Sequence, residues 1–215
     1  FQDKTFLSAF QDRDGGFWFG SEEGLLRQPE AWRAFKTYNT RREAGVDHKR
    51  QTSNYQILAD GSVLLADESG NLDVFQPKTG EFQSIGFQYP EEESLHLNAV
   101  FKDRNGRIWL GGRTQLMLLE GPGQVPKIWT AESRQDSTLL GPAKHILQTA
   151  EGLVWIAFYG GGIQARDQQG HIVHNITTKS GQGLQFPDAE AFFIGPDLQL
   201  WVVGGEGVMR SKPNQ

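Results

Sequence analysis

Six side chains have the chemistry of a ligand contact: Arg113, Tyr159, Glu22, Asp67, Glu206 and Arg50. An arginine fork can grip a carboxylate or phosphate bidentately, and a tyrosine ring offers a flat stacking face with a polar tip. Arg50 belongs to a basic cluster with Arg41, Arg42, His48 and Lys49, and Glu91-Glu92-Glu93 forms an acidic one. Both clusters read first as solvated loops. Glu22, Asp67, Glu190 and Glu206 are the carboxylates available for acid–base work. Glycoside cleavage would require two of them roughly 5–10 Å apart across a cleft, and the sequence spacing pairs none of them.

Stronger catalytic signatures are missing. The chain has no Gly-x-Ser-x-Gly, His-Glu-x-x-His or Gly-x-x-x-x-Gly-Lys. His171 and His174 look like a metal pair, but residues three apart on a strand point to opposite faces. Asp12-x-Asp14-Gly15 begins like a calcium loop yet lacks the distal Glu. Gly160-Gly161-Gly162 precedes no helix that could cradle a phosphate. The Asp-Gly-Trp runs differ in register from a sialidase Asp-box. No cofactor and no metal site are expected.

The elements that must position these residues follow from a repeat. Asp103-Arg104-Asn105-Gly106-Arg107-Ile108-Trp109-Leu110-Gly111 is a tight turn followed by a short apolar strand. The phrase recurs around Trp18, Leu64 (where Leu replaces Trp), Trp155 and Trp201, at steps of 46, 45, 46 and 46 residues. Each period holds four short strands, for example Ala99–Lys102, Arg107–Leu110, Leu116–Leu119 and Lys127–Thr130. The fourth strand of the first repeat is expected over Trp32–Tyr38, and the last repeat has three strands before the chain stops. No segment carries a sustained helical period. The prediction is an all-β β-propeller of four-stranded blades, about five repeats in one domain, 1–215. The repeated Trp fills the space between blades, and Asp/Asn-Gly closes the preceding hairpin.

Composition agrees and excludes other classes. At 37% hydrophobic and 11% aromatic residues, the chain can build a core but has no window resembling a membrane-spanning helix. A net charge of −5 with no basic stripe argues against nucleic acid. With no cysteine there are no disulfides and no thiolate metal ligands.

The pattern Asp, x, Asp/Asn-Gly, x, apolar-Trp-apolar-Gly, then Gly-Leu or Gly-Ile, resembles the two-component regulator propeller repeat. It is clear around Trp18, Trp109 and Trp155, and weakest around Leu64. That family builds extracytoplasmic sensor domains of bacterial histidine kinases, hybrid kinases and diguanylate cyclases. The resemblance implies a periplasmic, non-catalytic sensor that binds a small molecule or oligosaccharide. It also implies a parent chain anchored in the membrane through other segments, and a homodimer is a further expectation. A propeller glycosidase or lyase, or a lectin-like or protein-interaction scaffold, stays as the alternative.

In a propeller, the loops from strand four to strand one share one face with the turns from strand two to strand three. Arg113 and Tyr159 stand on such turns, with Glu22, Asp67 and Glu206 at matching places. The residues before Trp18 and after Trp201 together fall about 15 short of one period, so a part of a larger ring is expected, and the family resemblance implies seven blades for that ring.

Overall fold

The computed structural model describes residues 6–21, 24–28, 36–38, 52–89, 95–130, 141–179 and 184–211. Every element among them is a strand. The first blade comprises β1 (Phe6–Gln11), β2 (Phe17–Ser21), β3 (Gly24–Gln28) and β4 (Lys36–Tyr38). The second has β5 (Thr52–Ile57), β6 (Val63–Asp67), β7 (Leu72–Gln76) and β8 (Glu81–Ser84). The third has β9 (Ala99–Lys102), β10 (Ile108–Gly111), β11 (Gln115–Leu119) and β12 (Lys127–Thr130). The fourth has β13 (Ala143–Gln148), β14 (Val154–Phe158), β15 (Gly162–Arg166) and β16 (Ile172–Ile176). The fifth has β17 (Ala189–Ile194), β18 (Leu200–Gly204) and β19 (Gly207–Arg210). Strands adjacent in sequence pair antiparallel in each, giving five blades of a β-propeller. The expected strand stretch 32–35 lies outside the described residues.

The repeated turn explains why these hairpins form. In blade three, Gly106 N donates to Asp103 O at 2.9 Å and Asp103 N to Arg107 O at 2.9 Å. This is a three-residue hairpin loop that needs a left-handed residue at its last position. Gly15, Gly61, Gly106 and Gly152 supply it, with φ between 79° and 88°. In blade five the position is Leu198, at φ 61°, so the fifth turn is made with a strained residue.

First strands start earlier than the apolar pattern indicates. β5, β13 and β17 each begin with a register shift, between Thr52 and Asn54, Ala143 and His145, and Ala189 and Ala191. The shift breaks the in–out alternation by which a strand is recognised.

Two compact units divide the chain. One holds residues 1–86 and 92–97, the other 87–91 and 98–215. In the first, blades one and two share an aromatic core. Trp18 meets Phe75 edge-on at 5.5 Å between centroids, and Phe10 meets Tyr55 at 5.1 Å. In the second unit β9, β13 and β17 lie beside one another from blade to blade. Trp109, Leu116 and Leu118 of blade three pack with Ile146, Val154 and Ile156 of blade four. The repeated Trp thus lies between blades as expected, sandwiched within its own blade by a fourth-strand ring. Trp18 stacks with Tyr38, Trp109 with Trp129, and Trp155 with His174, at 5.9–6.1 Å.

The glycine that closes the second strand, two residues after Trp109 and three after Trp201, serves close approach. A Cβ at Gly111 would strike Ala143 of the next blade, and one at Gly204 would strike the Asp188 carbonyl and the Phe186 ring.

Candidate ligand-binding face

In an antiparallel meander, the turns from strand two to strand three lie at the same end of the blades as the segments leading into each first strand. In the second unit these two sets are sewn together by backbone hydrogen bonds. Ala143 N donates to Gly112 O at 3.1 Å, and Tyr159 N donates to Pro142 O at 2.9 Å. Gly162 N donates to Pro187 O at 2.9 Å, and the Asp188 carboxylate accepts from Gly160 N at 2.8 Å.

The seam puts three candidate side chains on one short stretch of backbone. Arg113 follows Gly112 directly, Tyr159 is bonded to Pro142, and Lys144 is the next residue but one. The Lys144 ammonium stands 5.5 Å from the centre of the Tyr159 ring, within cation–π range. Arg113 is exposed and Tyr159 half-exposed. An aromatic ring with the Lys144 ammonium beside it, and Arg113 on the same backbone seam, has the chemistry to stack a ring while pairing an anionic group.

The other candidates are placed differently. Glu206 is exposed on the β18–β19 turn, at the corresponding end of blade five. Asp67 ends β6 and is buried. Its Oδ1 accepts from Asn71 N and its Oδ2 from Asn71 Nδ2, both at 2.8 Å. It builds a turn of the same kind as Asp103, with Gly70 at φ 90°. Glu190 is exposed on β17. Glu22 and Arg50 lie outside the described residues, as do the rest of the basic cluster and Glu91-Glu92-Glu93.

The conspicuous aspartates of the repeat are spent on structure. Asp12 accepts from Trp18 Nε1 at 2.7 Å, Arg27 Nε at 3.1 Å, Gly16 N at 2.8 Å and Asp14 N at 3.0 Å. Burial alone would raise its pKa, but the hydrogen bonds from Trp18, Gly16 and Arg27 outweigh burial and hold it below 3.8. Asp103 does the same for Trp109 Nε1 at 3.1 Å and for the Arg107 guanidinium. Asp167 caps His171, and His174 is the ring stacked on Trp155, so each histidine has its own structural partner.

Sequence reasoning missed Lys144, at the bulged start of β13, and Asp188, just before β17, where no periodicity marks them. It also missed Asp67 as a turn-builder. The spacing Asp-x-x-Gly, common to Asp12, Asp67, Asp103 and Asp167, is the signal that could have found it.

No protein-family model and no curated protein sequence matches the chain. Solved structures do. The extracellular domain of a proposed one-component system of B. thetaiotaomicron superimposes with a TM-score of 0.73 at 17% identity, over 98% of this chain and 27% of that one. The extracellular domain of a proposed hybrid two-component system of the same organism gives 0.72 at 20%, over 97% and 27%. A proposed gluconolactonase gives 0.65 at 13%, over 94% and 72%. The chain therefore spans about a quarter of the length of the two sensor-type proteins. At the level of the fold these likenesses agree with the two-component regulator propeller resemblance read from the sequence: the chain is a β-propeller built like the extracellular domains of those signalling proteins.

Proposed function

We propose that the chain, read as one propeller domain over 1–215, is a ligand-binding sensor module of a bacterial signal-transduction protein. It lies in the periplasm, is not itself a catalyst, and belongs to a parent protein anchored in the membrane. The observation that carries the reading is the Arg113–Lys144–Tyr159 group, held on the backbone seam between blades three and four. The likeness to extracellular domains of signalling systems supports it. The ligand is a small molecule or an oligosaccharide. Stacking on Tyr159 provides affinity for a ring, and the two cations favour a ligand bearing an anionic group.

Titration calorimetry with an oligosaccharide and small-metabolite panel, on the wild type and on Y159A and R113A, tests the reading. Both side chains are exposed, so the variants should unfold within about 0.5 kcal/mol of the wild type. A ligand that binds the wild type and loses affinity in both variants supports the reading, and binding untouched by either change refutes the site. The alternative, a glycosidase or lyase, draws support from the gluconolactonase-like fold. It requires a pair of free carboxylates in a cleft, whereas both oxygens of Asp67 are engaged by Asn71.

A further inference from the structure

A shift of 91 residues carries blades one and two onto blades three and four. Between blades three and four, the ends of the first-to-second-strand turns are tied by a polar clamp. Arg104 N donates to Gln148 Oε1 at 3.1 Å and Arg104 Nη1 to Ala150 O at 2.9 Å. Asn105 Nδ2 donates to Gln168 Oε1 at 3.3 Å, Arg107 Nη1 to Gln168 O, and Lys127 Nζ to Gln169 O at 2.8 Å. At the matching positions of blades one and two stand Arg13, Asp14, Gly16, Ile57 and Pro77. The acceptor Gln148 has become Ile57, and Gln168 has become Pro77. Neither new side chain can accept a hydrogen bond.

The clamp is replaced by a cleft of about 790 Å³. Its walls include Phe10, Ile57, Leu58, Pro77, Arg13 and Lys78. Arg13, the counterpart of the clamping Arg104, is exposed and makes no hydrogen bond or ion pair among the described residues. Ile57 is 42% exposed. Of the carboxylates lining the cleft, Asp12 is consumed by Trp18 and Arg27, and Asp60 accepts from Ser62. Asp14 and Asp60 keep their charges on the same lining, but neither exposed cation, Arg13 or Lys78, is ion-paired among the described residues, so both are available to an anionic group. An apolar wall beneath a free guanidinium and ammonium has the chemistry to take a carboxylate carried on an apolar body.

We propose that this cleft between blades one and two binds a small carboxylate with an apolar body, gripped at its anionic end by Arg13 and Lys78. The site is formed by the opposite set of turns from the Tyr159 face and lies in the other unit, so it stands independently of the proposed function. Saturation-transfer NMR and titration with 3-phenylpropionate test it, with 3-phenylpropanol as the uncharged probe of the same body. Phenylpropionate should bind the wild type and Y159A alike, and phenylpropanol at least about tenfold more weakly. R13Q should weaken phenylpropionate by about tenfold. I57Q with P77Q, which restores the acceptors of the clamp, should abolish binding. Absence of transfer to phenylpropionate in the wild type overturns the proposal, as does equal affinity in R13Q. R13Q alters an exposed side chain, so its result stands even where the double change perturbs folding.

Discussion

Removing Asp103 and Trp109 together should cost markedly less than the two single losses added. The Asp103 carboxylate is fully buried and accepts from Trp109 Nε1, Arg107 Nε and the amides of Asn105 and Arg107 at 2.9–3.1 Å, with Arg107 Nη2 ion-paired to it at 2.7 Å. D103L therefore strands an indole N–H and a largely buried guanidinium, at a cost of about 3–5 kcal/mol. W109L removes a fully buried ring stacked on Trp129, at about 2–4 kcal/mol, and also withdraws one donor from Asp103. The double variant no longer has an indole to satisfy, so the coupling should be about 1–3 kcal/mol in its favour. Blade two carries this combination naturally. Leu58 stands in the Asp position and Leu64 in the Trp position, with Leu64 fully buried. Urea unfolding followed by far-UV circular dichroism gives the three free energies without relying on the lost fluorophore. Additivity within about 0.5 kcal/mol would show that the Asp and the Trp are independent, and the account of the repeat would fail.

Three further outcomes follow from single positions. G170A should destabilise by about 2 kcal/mol or more, because Gly170 sits at φ 89° and a Cβ there would run into the Trp129 ring; a midpoint equal to wild type in urea would contradict this packing. L198G should stabilise by about 1 kcal/mol, since Leu198 is 76% exposed and holds the left-handed turn position that glycine fills in the other blades; differential scanning calorimetry reads the rise in Tm. Burial pushes the His145 pKa below 6.5, and its Nδ1 accepts from Phe192 N at 3.2 Å, which requires the neutral ring. Its contribution should be complete above about pH 6.5 and decline as pH falls through that value toward the lower folded pKa. H145Q should flatten that part of the stability profile between pH 7 and 5, and an unchanged slope would exclude His145 as its source.

The blade count and most strands were legible because a buried hairpin stamps both its alternation and its turn residues onto the sequence. The 46-residue spacing from Trp155 to Trp201 and the Asn105-Gly106 turn are examples. Strand starts at Thr52, Ala143 and Ala189 were not, because a bulge adds one residue and reverses the pattern. Arg113 and Tyr159 could be singled out as polar and aromatic residues on short turns, and the structure brings their backbones to one segment. What joins them is a set of main-chain hydrogen bonds to Pro142 and Ala143, which leave no mark on side-chain identity. Asp67 shows the reverse case. A carboxylate on the binding end of a blade looks functional by position, yet its geometry is that of a turn.

The most direct test of the central claim is a thermal-shift screen of the purified chain against oligosaccharides, amino acids, nucleotides and organic acids, repeated on Y159A. A ligand at about 100 times its Kd adds about 2.7 kcal/mol, which moves Tm by several degrees for a domain of this size. The account predicts a selective upward shift in the wild type that is lost in Y159A. A shift of equal size in both proteins would contradict it, as would no shift with any compound.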